Sequence, residues 1–223
     1  HDYLEDYEER FESYHRKESR IQFDLELFNK ITKGGLPNKT LNIALAGTGV
    51  GKSLFMCHHA SSVLLDGKNV LYITLEMAEE KIAERIDANL LNVNIQNITE
   101  LPKPMFESKV NNLAKKTQGT LIIKEYPTAS AHSGHFKSLL NELALKKSFT
   151  PDIIFIDYLN ICASSRYRTN NNVNSYSYIK AIAEELRGLA VEANVPIVSA
   201  TQTTRSGFAS SDVDLTDTSE SFG

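Results

Sequence analysis

Residues 46–53 read Ala46-Gly47-Thr48-Gly49-Val50-Gly51-Lys52-Ser53. A short apolar run comes before them, and a stretch with helical periodicity follows. A glycine-rich turn between a strand and a helix, closing on Gly-Lys-Ser or Gly-Lys-Thr, is typical of a loop that binds phosphate. Ala46 stands where that pattern has its first glycine. Because alanine is small and the other glycines keep the turn flexible, we interpret this departure as a tolerated variant.

The chemistry expected of this turn follows from its residue types. Glycines let successive backbone N–H groups converge on phosphate oxygens, and the following helix adds the positive end of its dipole. Lys52 would reach the β- and γ-phosphates of a nucleotide, and the Ser53 hydroxyl would bind Mg²⁺. We therefore predict a nucleotide site over residues 46–54, ending at Leu54. The alternative is a glycine-rich turn that binds nothing.

The rest of the chain alternates short apolar runs with helical periodicity. The predicted strands are Leu41–Ala46, Val70–Leu75, Leu121–Lys124, Ile153–Ile156 and Val195–Ala200. The predicted helices are 52–65, 78–91, 104–117, 135–147 and 176–193, and the predicted loops are 163–175 and 203–223. Short apolar strands that are each followed by a helix predict an α/β fold, with a mostly parallel sheet and helices on both faces. Such sheets bind ligands beyond the carboxyl ends of their strands.

Three polar side chains follow predicted strands at that edge. Asp157 comes directly after Ile153–Ile156, where an acid is costly unless it is paired or binds a metal, so it is either a Mg²⁺ ligand or a strand-end cap. Glu76 follows the second strand and could be the catalytic base that polarises the attacking water, or an acid at a helix N-terminus. Gln202 follows the last strand, where its amide could hydrogen-bond the γ-phosphate.

Residues 3–18 are predicted to form a charged helix with one narrow apolar stripe. The stripe has spacings of three and four residues and consists of Tyr3, Leu4, Tyr7, Phe11 and Tyr14. It would pack either on its own domain or on a neighbouring subunit, and the stripe alone leaves both open.

The composition indicates one sizeable domain with a buried core. The chain has 223 residues, of which 41 % are hydrophobic and 23 % charged. Its apolar runs are too short to span a membrane, and its first residues do not resemble a signal peptide. Two isolated cysteines, Cys57 and Cys162, indicate buried thiols in a reducing cytoplasm. Because the chain begins at His1, we interpret it as part of a longer protein.

The net charge of −4 is unevenly distributed. Residues 1–20 hold seven acids and four bases, and residues 206–223 hold four acids and no lysine or arginine. The segment between them carries more bases than acids. An acidic total argues against nucleic acid, but a mildly basic body permits a local patch that binds phosphate.

The motifs, taken together, resemble a known family. In chain order they are the predicted phosphate loop, Thr74-Leu75-Glu76-Met77, Phe155-Ile156-Asp157-Tyr158-Leu159 and Ala200-Thr201-Gln202-Thr203-Thr204-Arg205-Ser206-Gly207-Phe208. They resemble the DnaB-type hexameric replicative DNA helicases with a RecA-like motor domain, and among these the helicases of T-even-type phages. The resemblance covers residues 20–223, and residues 1–19 look like the linker helix that packs on the adjacent subunit in that family.

The resemblance implies a homo-hexameric ring that moves 5′→3′ on single-stranded DNA and hydrolyses ATP or another NTP with Mg²⁺. It also implies primase and a helicase loader as partners and, for a phage protein, the host cytoplasm as location. Lys52 and Ser53 would bind phosphate and Mg²⁺, and Asp157 would hold the metal. Glu76 would be the base, and Gln202 would couple hydrolysis to movement.

The same resemblance divides the chain into a linker helix over residues 1–20 and a RecA-like ATPase domain over residues 21–223. We expect the family's trans-acting arginine finger to come from a segment beyond residue 223. The DNA-contacting loops of the family correspond to residues 163–175 and 203–218. Within these loops the candidate contacts are Arg166, Arg168 and Arg205. The alternative is a solvent-exposed loop with incidental arginines.

Two other functions would use the same nucleotide motifs. One is a RecA-like recombinase or recombination mediator, which has the ATP site but forms filaments that pair strands. The other is a nucleotide-gated assembly module, in which ATP holds an oligomer together and turnover is incidental. The acidic N-terminal linker favours a ring over a filament.

Overall fold

The computed structural model describes residues 2–16, 18–47, 49–167 and 174–202. The strands in these ranges are β1 (Arg20–Ile21), β2 (Leu36–Pro37), β3 (Leu41–Ala46), β4 (Val70–Thr74), β5 (Leu121–Glu125), β6 (Ile153–Asp157) and β7 (Ile197–Gln202). The helices are α1 (Tyr7–His15), α2 (Glu26–Ile31), α3 (Lys52–Leu65), α4 (Glu79–Leu90), α5 (Ile95–Ile98), α6 (Lys103–Ala114), α7 (Ser133–Lys147) and α8 (Ser175–Ala193). A 3₁₀ turn covers Leu159–Ile161.

Five strands form one parallel sheet in the order β3-β7-β6-β4-β5. The register aligns their carboxyl ends, because Ala46 lies opposite Gln202 and Thr74 lies opposite both Asp157 and Glu125. This architecture confirms the predicted α/β fold with a parallel sheet. It also brings the polar residues that follow β4, β6 and β7 to one edge.

Each face of the sheet buries its own set of apolar side chains. On β4, Leu71 and Ile73 pack with residues of α7 and α8, whereas Val70 and Tyr72 pack with residues of α3 and α4. This division follows from strand geometry, in which successive side chains point to opposite faces. Strands β4 and β6 are buried along their whole length, as expected for the centre of a covered parallel sheet.

The last strand lies two residues further along the chain than predicted, at Ile197–Gln202. The N–H of Val195 still belongs to the end of α8, donating to the Ala190 carbonyl over 3.2 Å. Pro196 has no N–H to donate to a ladder. The first N–H of the strand is that of Ile197, which donates to the Thr40 carbonyl over 2.8 Å. The other predicted boundaries of this α/β core agree with the structure within three residues.

Helix α1 is shorter than predicted, because residues 3–5 form a turn and the helix ends at His15. None of its residues is buried. The five side chains of the apolar stripe stay between 60 and 80 % exposed. Within the described residues, the stripe therefore does not pack on its own domain.

Five short elements are not predicted by the sequence: α2, α5, β1, β2 and the 3₁₀ turn. Each has between two and six residues, too few to show a period in the sequence. The β1–β2 pair depends on Gly35, where an added Cβ would lie 2.3 Å from the Ile21 carbonyl oxygen. Where the structure is described, no helix is both long and apolar enough to cross a lipid bilayer.

Both cysteines are buried free thiols, as predicted. Burial raises the pKa of Cys57 to about 11 and that of Cys162 to about 12. Thiols with such pKa values remain protonated and unreactive at neutral pH, so their role is in packing and weak hydrogen bonds.

His59 lies in the layer between α3 and the sheet and is 1 % exposed. Its ring stacks on Phe23 with 4.2 Å between centroids and meets the edge of Phe155 at 5.4 Å. Neither ring nitrogen has a hydrogen-bond partner among the described residues. Burial lowers the pKa of His59 from 6.5 to about 4. The folded protein therefore holds this imidazole neutral at pH values where the unfolded chain protonates it.

We predict that His59 makes the protein sensitive to acid. Between pH 6.5 and about pH 4 the unfolded chain binds one more proton than the folded chain at this residue, so stability falls as pH falls through this window. The loss is on the order of 3 kcal/mol. Urea unfolding of His59→Leu should show a shallower pH dependence of the free energy of unfolding over this window. An equal slope in the wild type and the variant would contradict the assignment.

Candidate nucleotide-binding site

The glycine-rich turn connects β3 to α3 with two residues in left-handed backbone conformations. Gly49 has φ of +74° and Gly51 has φ of +106°, which residues with a Cβ rarely adopt. Gly51 is also the N-cap of α3 and has no side chain with which to cap the helix. The first N–H groups of α3 are therefore available at its positive end. Thr48, which we predicted as part of this site, lies outside the described residues.

Lys52 is the first residue of α3, and its side chain folds back over the turn. Its ammonium donates to the Gly47 carbonyl over 3.4 Å and lies 5.6 Å from the centroid of the Tyr158 ring. Ser53 follows as the second residue of the helix. The backbone thus holds a cation and a hydroxyl at the mouth of the turn, as the sequence predicts for a phosphate loop. Val50 in the turn and Leu54 in the first turn of α3 are exposed.

Asp157 ends β6 and is fully buried. The Tyr72 hydroxyl donates to Oδ2 of Asp157 over 2.9 Å, whereas Oδ1 has no partner among the described residues. Burial raises the pKa of Asp157, and the hydroxyls of Ser53 and Tyr72 and the charges of Arg85 and Lys52 act in the opposite direction. A buried carboxylate oxygen without a partner is expensive unless a cation binds it. The carboxylate and the nearby Ser53 hydroxyl therefore fit a magnesium site beside the turn.

Glu76 lies two residues after the end of β4 and is exposed. The backbone of its neighbour Leu75 donates to the Asp157 carbonyl over 2.9 Å, which fixes this segment beside the end of β6. The charge of Glu76 contributes to raising the pKa of Tyr158, after the larger effect of burial. Glu76 makes no hydrogen bond or ion pair with the described residues. It lies before the N-cap of α4, Ala78, so it is not an acid of the first turn of that helix.

Gln202 is the last residue of β7 and lies half-buried opposite Ala46, where β3 enters the turn. Its neighbour Thr201 donates a 2.6 Å hydrogen bond to the Asn160 side chain, which ties the end of β7 to the 3₁₀ turn after β6. The structure therefore places Gln202 at the same edge as Asp157 and Glu76. Its role in coupling stays a prediction.

The predicted DNA-contacting arginines are only partly described. Arg166 forms an ion pair with Glu184 on α8, with 2.5 Å between nitrogen and oxygen. Arg168 and Arg205, together with residues 203–218, lie outside the described residues. The next residue of α8, Glu185, accepts hydrogen bonds from Ser164 and from the backbone and hydroxyl of Ser165. Glu184 and Glu185 of α8 thus fix the position of residues 164–166 by hydrogen bonds and an ion pair.

Two groups of functional interest were not predicted. The sequence identifies Tyr72 only as part of an apolar strand, although a phenol inside such a strand indicates a hydroxyl that needs a buried partner. The sequence identifies Glu184 and Glu185 only as helix residues, and no sequence pattern connects them to residues 164–166.

Among the described residues, no cluster of three or more His, Cys, Asp or Glu side chains suggests a further metal site.

A parallel sheet with a phosphate loop after its edge strand and acids at the ends of two other strands defines a P-loop nucleotide-binding protein of the RecA-like class. The model of the DnaB-like helicase C-terminal domain family matches residues 21–216. The chain therefore belongs to this family.

Similar proteins agree with this assignment. The chain is 48 % identical, over its whole length, to the DnaB-like replicative helicase of Enterobacteria phage T4, and covers 47 % of that protein. A DnaB-like replicative helicase, solved in a study of its interactions with primase, has a TM-score of 0.73 at 19 % identity, over 98 % of this chain and 52 % of the other. A second solved structure, an ATPase domain, has a TM-score of 0.72 at 18 % identity, over 96 % of this chain and 75 % of the other. The two structures support the fold alone.

Replacing Lys52 by alanine should weaken the binding of a fluorescent ATP analogue. The variant loses the ammonium that lies over the turn, and a charge-assisted hydrogen bond contributes roughly ten- to hundredfold in affinity. Fluorescence titration of the wild type and the variant measures the change. Lys103→Ala, which removes an exposed lysine of α6, is the matched control and should bind normally. Equal affinity in both variants would refute the predicted site.

Proposed function

We propose that this chain is the motor part of a ring-shaped replicative DNA helicase that hydrolyses ATP or another NTP to unwind duplex DNA. The observation that carries the proposal is the alignment of strand ends at one edge of the sheet. At this edge the glycine-rich turn follows β3, Glu76 lies two residues after β4, and Asp157 and Gln202 are the last residues of β6 and β7. Membership of the DnaB-like family supports the same activity.

Each residue would have a separate task at this edge. The backbone N–H groups at the start of α3 and the Lys52 ammonium would bind the phosphates of the nucleotide. Ser53 and Oδ1 of Asp157, which has no partner among the described residues, would hold Mg²⁺, and the ion would offset the negative charge of the carboxylate and the phosphates. Glu76, exposed and without an ion pair among the described residues, would orient the attacking water and accept its proton. Gln202 would sense the γ-phosphate and pass its loss to the segment that follows β7.

The ring itself is part of the proposal. The exposed apolar stripe of α1 supports a linker helix that packs on the adjacent subunit of a homo-hexamer, with residues 1–20 as linker and residues 21–223 as motor. A neighbouring subunit would supply the arginine finger. We also propose 5′→3′ movement on single-stranded DNA, contacts with primase and a loader, and a cytoplasmic location, the host cytoplasm for a phage protein. The chain spans about half of the length of the T4 relative, so the activity, partners and location of the whole protein are part of the proposal.

The test is the ATPase activity of the full-length protein with and without single-stranded DNA, measured beside the native mass of the assembly. We expect a hexamer whose turnover rises with DNA.

Glu76→Gln should bind nucleotide with near-normal affinity but hydrolyse it about a hundredfold or more slowly, because general base catalysis contributes at least that much. Weak binding with normal turnover in this variant would remove Glu76 as the base.

The other two functions predict different outcomes of the same experiment. Strand exchange by a filament, without unwinding of a forked duplex, would identify a recombinase or mediator. An oligomer that needs nucleotide but shows little turnover, even with DNA, would identify a gated assembly module. Either outcome would replace the helicase proposal.

Arg166 is the described candidate for a DNA contact, and its ion pair with Glu184 bears on how it would bind. Both side chains are about half exposed, so the pair is accessible to a phosphate group. A DNA phosphate that binds Arg166 competes with the Glu184 carboxylate for the same guanidinium. Glu184 would therefore weaken the binding of DNA at this position, because part of the phosphate attraction is offset by breaking the existing pair.

Substitutions at this pair should change DNA affinity in opposite directions. Arg166→Ala should weaken single-stranded DNA binding and reduce the slope of log affinity against log salt by about one, whereas Glu184→Gln should strengthen binding. Fluorescence anisotropy at several salt concentrations measures both. The control is Lys137→Ala, which breaks a similarly exposed ion pair between Lys137 on α7 and Glu192 on α8. This variant should change neither the DNA affinity nor its salt slope. Unchanged affinity and salt slope in Arg166→Ala would exclude this residue from the DNA path.

A further inference from the structure

Tyr72 carries a fully buried hydroxyl near the candidate site. It lies in the middle of β4, is 0 % exposed, and its ring stacks on Phe155 with 5.8 Å between centroids. Phe155 is its partner in the sheet register, and Asp157 lies two residues further along β6 on the same face. The phenol therefore extends along the sheet towards the strand ends. Its hydroxyl donates to Oδ2 of Asp157 over 2.9 Å.

The direction of each hydrogen bond in this group follows from its chemistry. An ionised carboxylate only accepts, so the single hydroxyl proton of Tyr72 belongs to the bond with Asp157. The lone pairs of the hydroxyl remain free to accept, and the Cys57 thiol donates to it over 3.8 Å. Cys57 lies on α3 four residues after Ser53, so both point from the same face of that helix. Tyr72 thus connects the helix that carries Ser53 to the strand that carries Asp157.

We propose that Tyr72 is a positioning residue for the metal-binding carboxylate of this site, with Cys57 supporting its hydroxyl. The bond to Oδ2 fixes the Asp157 side chain in one orientation and leaves Oδ1 as the oxygen available to a divalent cation. Partners of this kind orient metal ligands, and their loss lowers metal affinity. This inference rests on the proposed function, because it assumes that Asp157 binds the Mg²⁺ of a bound nucleotide.

The alternative role of Tyr72 is packing, and the two roles can be separated. The ring stacks on Phe155 whether or not it carries a hydroxyl, so Tyr72→Phe removes one oxygen and keeps the packed ring. A packing role predicts that this change leaves metal binding unaltered. A positioning role predicts a weaker response to Mg²⁺ and an unchanged response to the nucleotide alone.

The experiment measures the binding of a fluorescent ATP analogue to the full-length protein while Mg²⁺ is titrated, and again in EDTA. In Tyr72→Phe the Mg²⁺ concentration for half-maximal effect should rise by about tenfold, with affinity in EDTA unchanged. Cys57→Ala should shift the Mg²⁺ concentration in the same direction by less, and it tests the inference if Tyr72→Phe does not fold. Tyr126→Phe, which removes a hydroxyl from a half-buried ring outside the site, is the control and should show no shift.

The outcomes separate this inference from the proposed function. A wild-type protein that does not bind the analogue, or binds it without regard to Mg²⁺, would overturn the proposed function itself. A wild type that responds to Mg²⁺, together with an identical response in Tyr72→Phe and Cys57→Ala, would overturn only the role of Tyr72. An equal loss of affinity in EDTA and in Mg²⁺ would also overturn it, because the hydroxyl would then support the nucleotide site as a whole.

Discussion

The buried carboxylate of Asp157, at the end of the central strand β6, sets an electrostatic constraint on this edge of the sheet. Removing a charged group from water costs several kcal/mol, which its surroundings must offset. The surroundings of Asp157 do so in part, with a hydrogen bond from Tyr72 to one oxygen and the positive charges of Lys52 and Arg85 nearby. The other oxygen has no partner among the described residues. The site is thus electrostatically incomplete at the position where a divalent cation would complete it.

The sheet makes this arrangement possible, and the sheet could be predicted from the sequence. Central strands of a parallel sheet are covered on both faces, so they consist of almost unbroken apolar residues, as in Ile153–Ile156. Their carboxyl ends meet at one edge. The order of motifs therefore predicts that the glycine-rich turn, Glu76, Asp157 and Gln202 lie together. The later start of β7 has a local cause in Pro196, which has no N–H to donate to the ladder at the beginning of an otherwise apolar run.

Side-chain partnerships could not be predicted in the same way. The bond between Tyr72 and Asp157 joins residues 85 positions apart, and the pair formed by Arg166 and Glu184 joins a loop to a helix. Such contacts depend on register and on side-chain orientation, which hydrophobic periodicity does not specify. A phenol within an apolar strand indicates only that its hydroxyl needs a partner. For the same reason, the sequence identifies Arg166 as a basic residue but does not show that an acid neutralises it.

The N-terminal helix follows a different constraint from the rest of the chain. A helix of nine residues is marginal on its own in water, and most helices of this length depend on packing of an apolar face. The face of α1 is aromatic but lies exposed in the described structure, with Phe11 and Tyr14 at 63 and 76 %. The core of the α/β domain is covered by α3, α4, α7 and α8 and does not use this face. None of the described residues buries this face of α1, and its exposure supports the proposal that the helix packs on an adjacent subunit.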